Sequence, residues 1–229
     1  VHVLDAARPA FVEHDHDPRA TRAHFAERGW SRVVAFQTES VMHRGDEHLT
    51  KTALALCDGL LLHARLGPAG ADEVPVALRV RSYEALIRGY YAAERVLLAL
   101  FPGATRFAGA REAVHDALVR KNYGCSHFIV GRGDASEGEA PGDEALRAVF
   151  SRFSPAEIGI EPCFFGEVFH STVTGEMATE KTAPGDASTR VPMSSRAICT
   201  QLARGEAPPE SQLRAEVAAI LREGSGAPP

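Results

Sequence analysis

Short apolar runs alternate with amphipathic stretches along most of the chain. Arg32–Gln37 reads as a strand that empties into the polar turn Thr38-Glu39-Ser40, and a helix is predicted from about Glu47 to Cys57. Gly59–Ala64 is an uninterrupted apolar run, the pattern of a strand buried on both faces of a parallel sheet. Val76–Tyr91 carries apolar residues at helical spacing with Arg79, Arg81 and Arg88 interleaved, and Arg95–Phe101 reads as a third buried strand. Arg111–Asn122 is a predicted helix, and His127–Val130 a fourth strand running into Gly131-Arg132-Gly133-Asp134. Residues 133–144 are rich in Gly, Asp and Glu and read as a mobile loop. A helix near Glu144–Arg152, a strand near Glu161–Phe169 and two helices at about 194–204 and 212–223 follow, with a tail expected to fray. Ahead of the first strand, residues 18–28 read as a helix with Asp17 as its N-cap.

This order of elements predicts an α/β protein: a parallel sheet with helices on both faces and right-handed crossovers. Ligands in such sheets bind beyond the carboxyl ends of the strands. The loops after the first strand (37–46), the third (102–110) and the fourth (131–137) are therefore expected to share one cleft. The junction after the first strand is the expected phosphate site, because a helix N-terminus presents unpaired N–H groups and a positive dipole end. His43 is expected in the first turn of that helix. Three regions are expected: a lead-in over 1–28, a nucleotide-binding domain over 29–172 and a small helical C-terminal subdomain over 173–229.

Composition narrows the function classes. The 229 residues suit one large domain, and 45% hydrophobic with 24% charged content is ordinary for a globular chain. A net charge of −5 gives no reason to expect a nucleic-acid surface. No apolar run approaches a membrane span, and the N-terminus lacks a basic-then-apolar signal, so a cytoplasmic protein without membrane contact is expected. The absence of an initiator Met reads as processing or trimming. Cys57, Cys125, Cys163 and Cys199 are far apart and form no C-x-x-C pair, so reduced structural thiols and no metal site are expected. His14, Asp15, His16 and Asp17 could suggest a metal cluster, but read first as exposed polar loop.

The stretch Phe36-Gln-Thr-Glu-Ser-Val-Met-His-Arg-Gly-Asp-Glu47 resembles the ATP sulfurylase (sulfate adenylyltransferase) signature F-Q-T-R-N-P-x-H-R-A-H-E. Further blocks match in order: Gly59-Leu-Leu-Leu-His63, Val80-Arg-Ser-Tyr-Glu-Ala-Leu86, Arg106-Phe-Ala-Gly109, Arg120-Lys-Asn-Tyr-Gly-Cys125 and His127-Phe-Ile-Val-Gly-Arg132. Val191-Pro-Met-Ser-Ser-Arg-Ala-Ile198 and Gly205-Glu-Ala-Pro-Pro209 extend the resemblance to the C-terminal region. It implies a Rossmann-like nucleotidyltransferase fold that passes AMP from ATP, with Mg2+, to a small acceptor and releases pyrophosphate. The family's PUA-like N-terminal domain is reduced at most to a remnant in residues 1–28, and Thr182-Ala-Pro-Gly-Asp186 replaces the zinc segment of some members. Self-association is common in the family, so a homo-oligomer is allowed.

The resemblance implies site residues. Phe36, Gln37, Thr38, His43, Arg44, Arg132, Met193, Ser194 and Ser195 would contact nucleotide, with Gln37, His43 and Arg132 closest to the chemistry. Gln37, Glu39, Asp134 and Ala135 would face the acceptor. Arg44 reads equally as a solvated residue, Ser194 and Ser195 equally as caps of the next helix, and Met193 equally as core. Glu39 stands where the family carries a sulfate-pairing Arg, and Asp46 and Asp134 stand where it carries His. A carboxylate about 4 Å from an oxyanion costs roughly 4 kcal/mol at an effective dielectric of about 20. The acidic replacements therefore suggest an amine-bearing acid or phosphonate of a specialised pathway as acceptor, or a divalent cation held by the carboxylates. Two other readings stay open: sulfate activation with compensation by Arg106 or Arg111, and a nucleotide-binding relative without turnover.

Overall fold

β1 (Val33–Thr38) and β2 (Gly59–Arg65) are buried on both faces along nearly their whole length, and they form the middle of a parallel sheet. β3 (Val96–Phe101) extends it on one side, and β4 (His127–Ile129) with β5 (Glu161–Cys163) extend it on the other. The strand order is β3-β2-β1-β4-β5, with every pairing parallel. This computed structural model describes residues 11–66, 74–103, 106, 108–131 and 142–223.

α1 (Pro18–Glu27) precedes the sheet, and the Asp17 carboxylate caps it by accepting the Ala20 N–H at 2.7 Å. α2 (Arg44–Leu54) and α3 (Val76–Tyr90) connect the first three strands. α4 (Ala110–Asn122) leads from β3 to β4, and α5 (Asp143–Phe150) with the single turn α6 (Pro155–Ile158) precedes β5. Strand alternation sends the two sets of side chains into two cores. Val34, Phe36, Leu60, Leu62 and Leu98 meet α3 on one face, while Val33, Ala35, Leu61, Ala99 and Phe128 meet α4 and α5 on the other.

The chain reverses its direction of travel across the sheet between β1 and β4, which opens a crevice at their carboxyl ends. The expected common cleft draws on loops that lie partly outside the described residues; of the segment after β3, Glu112 in the first turn of α4 reaches Arg65, at the end of β2, at 3.4 Å.

The expected strand near Glu161–Phe169 is two strands in two sheets. β5 ends at Cys163, and β6 (Phe169–Ser171) belongs to a three-stranded antiparallel sheet with β7 (Met177–Ala178) and β8 (Arg190–Pro192). The expected boundary at 172/173 runs between β6 and β7. The C-terminal region thus carries strands as well as α7 (Ser195–Ala203) and α8 (Ala215–Arg222). Ile198, Leu202, Leu213, Val217 and Leu221 join the same core as Val34 and Leu60, so these helices complete one face of the large sheet. Among the described residues no helix is long and apolar enough to cross a membrane.

Candidate functional site

The turn after β1 is held from below by α3. Thr38 Oγ1 donates to the Ser40 carbonyl at 3.1 Å, and Tyr83 donates its phenolic hydrogen to that carbonyl at 2.6 Å. Burial pushes the Tyr83 hydroxyl up to about 12, so it remains a donor at physiological pH. The buried Arg79 guanidinium donates to the Glu39 carbonyl. In the sequence Arg79 stands out only as one of three arginines interleaved along a helical stretch, because it lies 40 residues from Glu39.

α2 starts at Arg44, three residues before the expected Glu47, and His43 is its N-cap rather than a residue of its first turn. Its Nδ1 accepts the Asp46 N–H at 3.1 Å, while the Asp46 carboxylate accepts the His43 N–H at 3.1 Å. This reciprocal pair is a capping box, which satisfies two donors that a helix start otherwise leaves open. With Nδ1 accepting, the neutral imidazole carries its hydrogen on Nε2, which has no hydrogen-bond partner among the described residues. Arg44 N–H donates to the Gln212 carbonyl at 2.9 Å. The expected open row of amides is therefore corrected. In the first turn of α2 the protein itself uses the Arg44 and Asp46 N–H groups, and among the described residues that of Gly45 has no partner. A Cβ on Gly45 would lie 3.0 Å from both His43 Cε1 and Met193 Cγ, so glycine lets β8's successor residue pack directly on the cap.

Asp46 Oδ2 thus serves the cap, while the Glu39 carboxylate is engaged elsewhere. Arg44 Nη1 donates to the Glu210 carbonyl at 3.1 Å, and its Nε lies 3.5 Å from Glu47. Glu47 is buried. It accepts two hydrogen bonds from Arg214, at 2.9 and 2.7 Å, and one from Lys51 at 2.6 Å. Burial by itself raises its pKa, but these hydrogen bonds and charges outweigh burial and hold the carboxyl below its ordinary value. The same motif that places His43 therefore also binds the C-terminal segment to the site.

Gln37, His63 and Arg65 face the α4 side. The β1–β2 register pairs Gln37 with His63 and Thr38 with Ala64, so the next residue of each strand, Glu39 and Arg65, meet. The Arg65 guanidinium lies 2.7 Å from Glu39 Oε1 and donates to Asp116 Oδ1 at 2.7 Å and to Glu112 Oε1 at 3.4 Å. Its side chain is 1% exposed and that of Glu39 45%. Gln37 Nε2 donates to the same Glu39 oxygen at 3.3 Å. The expectation that Glu39 stands as an uncompensated repulsive charge is corrected by this ion pair. The Arg106 guanidinium instead lies 3.5 Å from His115 Nδ1, and its backbone N–H donates to Glu112 at 2.8 Å.

Behind Arg65, His63 is fully buried against Phe101 and Tyr123, and neither ring nitrogen has a partner among the described residues. Burial first, then the nearby Arg120 and Arg65 charges, push its pKa down to about 2. Arg120, also buried, donates to Asp116 Oδ1 at 3.2 Å, and burial lowers its pKa to about 10.

Other sequence candidates fall as follows. The Phe36 ring lies in the core. Ser194 caps α7 by accepting the Ala197 N–H at 3.2 Å, and the buried Ser195 hydroxyl donates to the Val41 carbonyl at 3.4 Å. The Ser194 hydroxyl thus caps α7, and the Ser195 hydroxyl ties it to the turn after β1. Arg132, Asp134 and Ala135 lie outside the described residues. The His14–Asp17 cluster is divided: Asp17 caps α1, and His14 Nε2 lies 2.8 Å from Glu84 Oε1. Among the described residues Glu13, His14 and Glu84 do bring their ligand atoms within 4.8 Å of one another.

The ATP-sulfurylase family model matches residues 13–224. A probable bifunctional SAT/APS kinase 2 of Sorangium cellulosum is 51% identical over 220 residues, which cover 96% of this chain and 37% of that protein. A sulfate adenylyltransferase of Symbiobacterium thermophilum is 48% identical over 224 residues, covering 98% of this chain and 57% of the relative. A solved structure of the hexameric APS kinase from Thiobacillus denitrificans superposes with a TM-score of 0.75 at 26% identity, over 95% of this chain and 41% of that one. The chain thus spans less than two thirds of the length of each of these relatives.

Proposed function

Because this chain belongs to the ATP-sulfurylase family, we propose that it transfers the adenylyl group of ATP to sulfate and releases pyrophosphate. A sulfate oxygen attacks the α-phosphorus, the bond from that phosphorus to the bridging oxygen breaks, and its electron pair leaves on pyrophosphate. Such a transfer asks the protein for alignment and for donors aimed at the developing charge. His43 Nε2 and the Gly45 N–H are the donors offered beside the β1–α2 turn, and Gln37 is the polar group that ends β1. Arg132 and Ala135, which follow β4 in sequence, would add phosphate and acceptor contacts. Mg2+ would arrive with the nucleotide and offset phosphate charge; Asp46 fits poorly as its ligand, because its carboxylate already serves the cap.

The observation that carries sulfate as acceptor is the Glu39–Arg65 pair at 2.7 Å. A carboxylate neutralised by a buried guanidinium no longer opposes an oxyanion in the way an isolated one would. A second reading, an amine-bearing acid or phosphonate as acceptor, draws on the exposure of that same carboxylate. Pyrophosphate release from MgATP separates them. Sulfate-dependent release is expected; release only with zwitterionic acids would replace sulfate, and ATP binding without release for any acceptor would remove the enzymatic reading.

His43→Asn tests the imidazole. Asparagine is a strong N-cap, so α2 keeps its start while the Nε2 donor is lost. Turnover is expected to fall about a hundredfold, the scale for losing one preorganised donor, with the melting temperature nearly unchanged. Full turnover in this variant would confine His43 to capping.

A further inference from the structure

We propose that the acceptor oxyanion binds where the Glu39 carboxylate now sits, on Arg65 and Gln37, and that Glu39 sets acceptor affinity by competing for these donors. The inference rests on the adenylyl-transfer reading above and names the cation of its acceptor subsite.

Two donors from neighbouring strands converge on one oxygen. Arg65 Nη1 lies 2.7 Å from Glu39 Oε1, and Gln37 Nε2 donates to that same atom at 3.3 Å. A guanidinium and an amide aimed at a single oxygen form a site for an anion's oxygen whichever molecule supplies it. The site lies at the carboxyl ends of β1 and β2, beside the turn that leads to His43.

The two sides of Arg65 differ. On the α4 side, Asp116 and Glu112 grip the guanidinium, and Glu112 is itself fixed by the N–H groups of Arg106 and Ala108 at 2.8 and 3.3 Å. Arg120 shares Asp116 and adds a second buried cation. On the other side stands Glu39, a half-exposed side chain on a turn. Displacing it leaves Arg65 with two carboxylates, so the buried cation is never stranded without a counter-charge. Glu39 can swing into water at little cost, whereas Asp116 and Glu112 are held in place. The incoming oxyanion replaces one carboxylate oxygen by another of like charge, so the desolvated guanidinium sees little change in its field. Glu39 therefore acts as an internal surrogate of the acceptor. The pair also disfavours neutral acceptors, which have no charge with which to displace it.

The test uses the purified chain, with sulfate titrated at constant ionic strength against chloride. Glu39→Gln keeps the shape of the side chain and removes its competing charge. Its KM for sulfate is expected to fall about tenfold, and its KM for ATP is not expected to follow. Arg65→Lys keeps the charge but loses the fork, and its KM for sulfate is expected to rise. An unchanged or higher KM for sulfate in Glu39→Gln overturns the proposal, and this arm decides alone if Arg65→Lys does not fold. Calorimetric titration of sulfate in the presence of a non-hydrolysable ATP analogue separates this inference from the reaction itself. Tighter binding in Glu39→Gln without pyrophosphate release sustains the subsite and removes the activity. Equal binding, or none, in wild type and variant overturns the subsite.

Discussion

Lowering the pH from 7 to 4 is expected to destabilise the wild-type protein markedly more than His63→Phe. His63 is fully buried, its ring nitrogens have no partners among the described residues, and its pKa in the fold is about 2 against an ordinary 6.5. Below pH 6.5 the unfolded chain takes up a proton that the folded chain refuses until about pH 2. The unfolded state then binds more protons, so stability falls as pH falls throughout that window. Each pH unit inside it costs roughly 1.4 kcal/mol, or about 3 kcal/mol by pH 4. Phenylalanine retains an aromatic ring between Phe101 and Tyr123 and removes the titration. Denaturant midpoints at pH 7 and pH 4 measure the effect as a difference of slopes, so any repacking cost common to both pH values cancels. Equal acid losses in the two proteins would show that His63 is solvated or hydrogen-bonded in solution.

Glu47→Ala is expected to destabilise the fold by about 3 kcal/mol or more, the cost of removing one partner from a buried ion pair. Its carboxylate accepts both Arg214 hydrogen bonds and that of Lys51, and these link α2 to the segment entering α8. Arg214 also lies over the Tyr90 ring at 3.8 Å, so losing the carboxylate leaves a guanidinium packed on α3 without its main counter-charge. Because the folded pKa of Glu47 is held low, its contribution is present above its ordinary value of 4.5 and is lost as pH falls through the lower folded value. Equilibrium denaturation at pH 7 gives the loss directly. A double-mutant cycle with Arg214→Met should return a coupling of at least about 1 kcal/mol; a coupling near zero would mean that the contact contributes nothing net.

Much of the sheet was legible because buried parallel strands carry continuous apolar runs: Val33–Thr38, Gly59–Arg65 and Val96–Phe101 each fall within a residue or two of expectation. The run from Glu161 to Phe169 misled for the same reason. It is apolar enough for one strand, but Gly166 and Glu167 interrupt it and the chain passes to another sheet. Strands of two or three residues, such as β7, are too short to show a period. At the site, Asp17 was readable as a cap from local sequence, and so was the motif around His43. The Glu39–Arg65 pair was not, since it depends on the register of two strands 26 residues apart. Once Thr38 is known to pair with Ala64, the contact follows. Arg79, Arg214 and Gln212 were hidden for a similar reason: each reaches the β1–α2 region from a distant element.

The last strand of the large sheet also decides how that sheet meets other molecules. Among the described residues β5 pairs with β4 alone, and the Glu161 N–H and Cys163 carbonyl point inward, to Ser126 and Val130. Pro162, between them, therefore turns its ring nitrogen outward, at the position where an added strand would look for a donor. With three residues and a missing N–H, this border offers almost no template for strand addition. Edge-to-edge stacking of one copy on another, the usual route from a parallel sheet to aggregation, is thus blocked on the β5 side by a single imino acid.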